Sequence, residues 1–241
     1  MKQLVFLGLV IISVFTNSHL MAQDKAVSKL SASDQSLISI SALTGRGDLE
    51  NLKVALNRGL EHGLTVNEIK EVLIHTYAYC GFPRSIRGLQ TFMEVLSERQ
   101  EKGIKDEMGN EASDVVDIES NKYDRGKKIL GELTQTVQAD TLSGYSAFAP
   151  TIDRFLKEHL FADIFERDVL TYAQRELVTV SVLAAIGQAE PMLNSHLTIC
   201  LNVGLSPEQL QQYVDVLRLT IGETDAEVAQ KVLDKVIEKR K

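Results

Sequence analysis

The stretch Val203-Gly204-Leu205-Ser206-Pro207-Glu208-Gln209-Leu210 repeats the pattern of His62-Gly63-Leu64-Thr65-Val66-Asn67-Glu68-Ile69 at an offset of 141 residues, Gly204 against Gly63. Held constant, that offset pairs Leu52 with Leu193, Leu56 with Leu197, Gly81 with Gly222, Phe92 with Leu233 and Val95 with Val236. Paired glycines mark backbone positions that side chains exclude, so their coincidence points to one structural unit used twice, at about residues 34–97 and 175–238.

The unit is helical. In Leu49-Glu50-Asn51-Leu52-Lys53-Val54-Ala55-Leu56 the apolar residues fall at three- and four-residue steps, and Arg58-Gly59 and His62-Gly63 stop the helix. Thr65, with Glu68 three residues on, carries a capping-box signature for the next helix, which Gly81-Phe82-Pro83 ends. A third helix is expected from about Arg84 to Glu98. No alternating strand pattern competes, so the fold class is all-α, a helical bundle of two repeats.

Four segments follow. Residues 1–22 read as a secretory signal peptide: Met1-Lys2, the apolar run Leu4–Phe15, then Leu20-Met21-Ala22. Its apolar core is shorter than the roughly 20 residues of a membrane span, and no second long apolar run follows, so no membrane association is expected after cleavage. Residues 23–100 hold the first repeat, the charged stretch 101–120 is a polar linker or surface excursion, and 121–241 hold connecting helices and the second repeat. The expected destination is the periplasm. Without the leader, 25 bases face 33 acids, a net charge of −8, which disfavours nucleic acid as a partner. Two distant cysteines, Cys80 and Cys200, do not make a disulfide scaffold.

The chemistry concentrates in the second repeat. Glu176 heads one helix and His196 lies on the next, so an antiparallel pair of helices brings both side chains into one cleft. A carboxylate beside an imidazole sets its tautomer and suits it to proton transfer. The alternative is a core histidine with an unrelated surface glutamate. A helix headed by Arg175-Glu176-Leu177, a histidine on the following helix, the Gly-Leu-Ser/Thr turn, and Glu71 to Pro83 with its Tyr-x-Gly-Phe-Pro ending together resemble the carboxymuconolactone decarboxylase family.

The resemblance covers both repeats and implies an all-α bundle, a homo-oligomer with a trimer favoured, and a small acidic molecule as substrate. It implies no metal and no organic cofactor. On it, Glu176 and His196 are the expected catalytic pair of a decarboxylase or related lyase, with His75, Tyr79, Arg84 and Arg46 as substrate-binding or accessory residues. A related branch of the family resembles alkylhydroperoxidase D and works as a thiol peroxidase through Cys-x-x-Cys ahead of the histidine. Here Gly187 to His196 holds no cysteine, so a peroxidase alternative would rest on Cys80 or Cys200 singly. A non-catalytic small-ligand-binding protein is the third alternative. The offset maps Glu176 onto Gln35 and His196 onto Ala55, and His75 and Tyr79 onto Val216 and Thr220. The copies are therefore not chemically equivalent.

Overall fold

The computed structural model describes residues 29–114 and 119–240; the expected signal peptide lies outside them. Among the described residues there are helices and loops and no strand. The first repeat comprises α1 (Ala32–Arg46), α2 (Leu49–Glu61) and α3 (Val66–Glu101). Between the repeats come α4 (Lys122–Thr134), α5 (Gly144–Phe148), α6 (Pro150–Phe155) and a π-helical segment, Leu156–Phe165. The second repeat is α7 (Tyr172–Ile186), α8 (Glu190–Asn202), α9 (Pro207–Ile221) and α10 (Glu223–Glu238).

The 141-residue offset survives in three dimensions. It carries Leu49–Glu61 of α2 onto Glu190–Asn202 of α8 end to end, and it carries Val66 onto Pro207, the first residue of α9. Thr65 closes its capping box with Glu68, and Ser206 does the same with Gln209. Gly81 breaks α3 into two limbs at φ 79°, ψ 161°, and Gly222 separates α9 from α10 at φ 96°, ψ 170°. These left-handed values suit glycine, and they explain why this pair is shared between the copies.

α1 and α7 pack against each other at the centre. Each feeds the other copy's core. Leu37 and Ile40 of α1 join Leu52, Leu56, Ile69 and Phe92 of their own repeat, while Ile38 and Ala42 turn into the core formed by α7 to α10. Val178 of α7 returns the favour by packing into the first core. Side chains of this size, fully buried, each contribute about 1.5–3 kcal/mol, so the shared helices bind the copies into one folding unit.

The inserted α4 and the π-helical segment form a hairpin with its own core of Ile129, Leu133, Leu160, Phe161, Ile164 and Phe165, seated on Ile199 of α8. Gly126 lets the two approach: a Cβ there would lie 1.8 Å from the carbonyl oxygen of Lys157. Beneath the hairpin, Tyr77, Tyr79 and Tyr172 complete the contact. Part of the polar stretch after α3 is tied down. Val66 N–H donates to the Glu107 carbonyl, Asn67 N–H to the Met108 carbonyl, and the Arg99 guanidinium grips Asp106.

Candidate functional site

α7 positions the site because it is buried on all sides. Every residue from Arg175 to Ala185 is buried, so the two charged side chains in its first turns must find partners inside the protein. Thr171 starts the helix with a capping box to Gln174, which fixes its register.

Glu176 points toward α8. Its Oε2 lies 2.8 Å from His196 Nδ1, and the carboxylate is fully buried while the imidazole keeps 14% of its side-chain surface. A carboxylate can only accept, so Nδ1 carries a proton and Nε2 is left to exchange one. Glu176 Oε1 is buried without a partner among the described residues.

Arg175 points the other way, toward the first repeat. One of its terminal nitrogens donates to Glu71 Oε1 at 2.7 Å and to the Arg167 carbonyl at 2.5 Å; the other donates to His75 Nδ1 at 3.2 Å. Arg167 closes on Glu71 with three contacts of 2.9–3.0 Å. Arg175 is fully buried and Glu71 nearly so. Burial pushes the Arg175 guanidinium below its ordinary range, against the opposing pull of Glu71.

His75 links this ion cluster to Tyr79. Its Nε2 lies 2.9 Å from Thr179 Oγ1, which in turn lies 3.1 Å from the Tyr79 hydroxyl. Burial, then the charges of Arg175 and His196, push His75 well below the usual imidazole range. Burial and the Glu176 carboxylate push the Tyr79 phenol up. The rings pack as well: Phe165 of the π-helical segment stands edge-on to His75 at 5.1 Å, and Tyr79 stands edge-on to His196 at 6.0 Å.

Tyr79 also lines an open groove of about 510 Å³ with Arg46, Cys80, Arg84, Ala185 and Ile186. Its two arginines differ. Arg46 is held by Asp225 and the Ile221 carbonyl, whereas Arg84 makes no hydrogen bond or ion pair among the described residues. Glu176 and Ile186 are ten residues apart on α7, about 15 Å along the axis. Tyr79 is common to the groove and to the ring contact with His196.

The residues singled out from sequence thus fall into two neighbouring sets. Glu176, His196, Tyr79 and His75 come together, and Arg46, Arg84 and Cys80 gather around the groove that Tyr79 shares. His75 has no exposed surface and meets Arg175 and Thr179 instead of the groove. Arg175, Thr179, Glu71 and Arg167 are not among the site residues expected from sequence. A charged pair inside an otherwise apolar helix, Arg175-Glu176 ahead of Leu177-Val178, was the signal available.

The two thiols are free. Cys200 is fully buried, and burial followed by the Glu176 charge raises it well above the ordinary thiol range. Cys80 is partly buried and donates to the Thr76 carbonyl at 3.1 Å; burial raises it too, against Arg84 and that hydrogen bond. A nucleophilic thiol needs the opposite environment.

The sequence pattern described as the Carboxymuconolactone decarboxylase family matches residues 16–92 and 150–235, one stretch for each repeat. The chain belongs to the carboxymuconolactone decarboxylase family. The first matched stretch begins inside the segment read as a leader, and the second takes in the π-helical segment together with α7 to α9. The chain is also similar to the 4-carboxymuconolactone decarboxylase of Acinetobacter baylyi, with 25% identity over 97 residues, covering 40% of this chain and 72% of that protein. Family membership accounts for the helical unit and its duplication.

Proposed function

We propose that the protein is a cofactor-free decarboxylase-type lyase acting on a small carboxylated, lactone-type substrate, with His196 as the proton donor and Glu176 as its orienter. The observation that carries the reading is the 2.8 Å contact between a fully buried carboxylate and a histidine that still reaches the surface. Family membership and the similarity to a decarboxylase support it.

The chemistry asks for three things: a cation for the substrate carboxylate, relief for the negative charge that develops as CO2 leaves, and a proton for the carbon left behind. When the C–C bond breaks, its electron pair passes through the conjugated system onto a carbonyl oxygen. His196, as an imidazolium whose charge Glu176 balances, then gives its Nε2 proton to carbon and becomes a neutral imidazole with Nδ1–H still held by Glu176, and solvent returns the Nε2 proton. Arg84, beside Tyr79 and without a hydrogen bond or ion pair among the described residues, is the cation available to the carboxylate. The depression of about 500 Å³ lined by Glu68, Glu107, Glu111 and Asp168 would repel the same substrate.

The test is CO2 release from 4-carboxymuconolactone by purified protein, by His196→Ala and by Glu176→Gln. Losing a positioned acid should cost about 10²–10⁴-fold in kcat, with the glutamine variant less affected than the alanine one. Turnover that is unchanged in His196→Ala removes the histidine from the mechanism.

We also propose that the chain is exported to the periplasm and assembles as a homo-trimer. Exposed Phe82, Ile86 and Met93 along the second limb of α3 support an interface there. Amino-terminal sequencing of the secreted protein and light scattering would decide the two points; an uncleaved Met1 or a clean monomer overturns them.

A further inference from the structure

Three side chains from both repeats, Arg175, His75 and Thr179, line up behind Tyr79, and the acid–base pair uses none of them. Their hydrogen bonds run in one direction. Arg175 can only donate, so His75 Nδ1 accepts, and Nε2 must carry the proton that reaches Thr179 Oγ1 at 2.9 Å. Thr179 has a single proton of its own, shared between the Tyr79 hydroxyl oxygen at 3.1 Å and the Arg175 carbonyl at 2.9 Å. Donation into the phenol oxygen leaves the Tyr79 proton without an acceptor among the described residues, and Tyr79 borders the groove.

We propose that Tyr79, supplied by the first repeat, donates the hydrogen bond that receives the enolate oxygen of the substrate, and that His75 and Thr179 are the residues that position it. The inference rests on the decarboxylase reading and completes it. Arg84 takes the carboxylate that stays, Tyr79 meets the oxygen where charge accumulates, and His196, packed edge-on to the phenol, delivers the proton to carbon. Tyr79 transfers no proton; it stays an O–H donor throughout. Burial and the nearby Glu176 carboxylate disfavour its ionisation, which keeps that donor in place. A preorganised donor aimed at developing charge is worth most where water is scarce, and Tyr79, which borders the groove, packs against the hairpin core.

The probe is cyclohexane-1,3-dione, whose anion at neutral pH carries a delocalised enolate charge and has no carboxylate to lose. Binding is measured by calorimetry on the full chain, with circular dichroism to verify helicity. Tyr79→Phe should weaken binding about 10–100-fold, the worth of one hydrogen bond to a charged group. Thr179→Val should weaken it less, and Thr179→Ser, which restores the hydroxyl, should recover wild-type affinity. Equal affinity in Tyr79→Phe, no binding by the wild type, or a serine variant as weak as the valine one overturns the proposal. Tyr79-dependent binding without CO2 release from 4-carboxymuconolactone sustains the enolate site and overturns the decarboxylase reading. Release with Tyr79-independent binding does the reverse.

Discussion

Tyr79 of the first repeat and His196 of the second meet edge to face, their ring centroids 6.0 Å apart and their planes at 85°. The repeat offset places Thr220 and Ala55 at the corresponding positions. The symmetry-related location therefore has neither ring, and the duplicated unit supports one composite arrangement of these groups.

His75 makes stability depend on pH. Its folded-state pKa is depressed, first by burial and then by Arg175 and His196, so below about pH 6.5 the unfolded chain binds a proton that the folded chain refuses. Stability should fall as pH drops, by up to about 1.4 kcal/mol per unit, until the folded-state value is reached. Urea unfolding of the wild type and His75→Gln between pH 8 and pH 5 reads this directly. The gap between the two should narrow on acidification; a constant gap would mean that His75 is not held neutral.

Glu71 should matter far more than the exposed arginine that covers it. Removing its charge leaves the fully buried Arg175 uncompensated, and Glu71→Gln should cost about 3–5 kcal/mol. Arg167 is 40% exposed, so Arg167→Ala should cost only about 1 kcal/mol. Denaturant midpoints order the two variants, and a reversed order would show that Arg167 anchors the cluster.

Gly126→Ala should loosen the inserted hairpin, because its new Cβ meets the Lys157 backbone rather than a movable side chain. Forced overpacking of this kind costs about 1–3 kcal/mol. The thermal midpoint should fall, and turnover should fall with it, since the hairpin covers Tyr79. An unchanged midpoint would mean that α4 shifts freely.

Alkylation distinguishes the thiols from peroxidatic ones. At neutral pH the native protein should react with iodoacetamide much more slowly than the urea-unfolded chain, with Cys200 slower than Cys80, because burial holds both protonated. The double variant Cys80→Ser, Cys200→Ser should leave any peroxide consumption unchanged. Loss of consumption would revive thiol chemistry.

Much of the architecture is legible in the sequence. Glycines at 63 and 81 and their partners at 204 and 222 announced the turns, and the Thr65 capping box set the start of α3. Glu176 and His196 were found together because adjacent antiparallel helices leave a short, interpretable spacing. The Glu71–Arg175 pair was not, since its partners lie 104 residues apart and no local spacing connects them. The π-helical segment falls in the stretch expected to hold connecting helices: Leu156, Leu160 and Phe161 fit an α-helical stripe, and widened turns leave no separate mark on an apolar pattern. Part of the stretch expected to be a linker holds backbone hydrogen bonds to the start of α3, which polar composition alone did not foretell.

Because α1 and α7 each lend side chains to the other copy's core, the repeats resemble two halves of a clasp more than two beads on a string. Severed between residues 101 and 120 and mixed, the fragments should behave as a split-protein pair. Each alone would expose the apolar flank meant for its mate, and reassembly would restore Tyr79 to His196 in the same step that buries Ile38 and Val178.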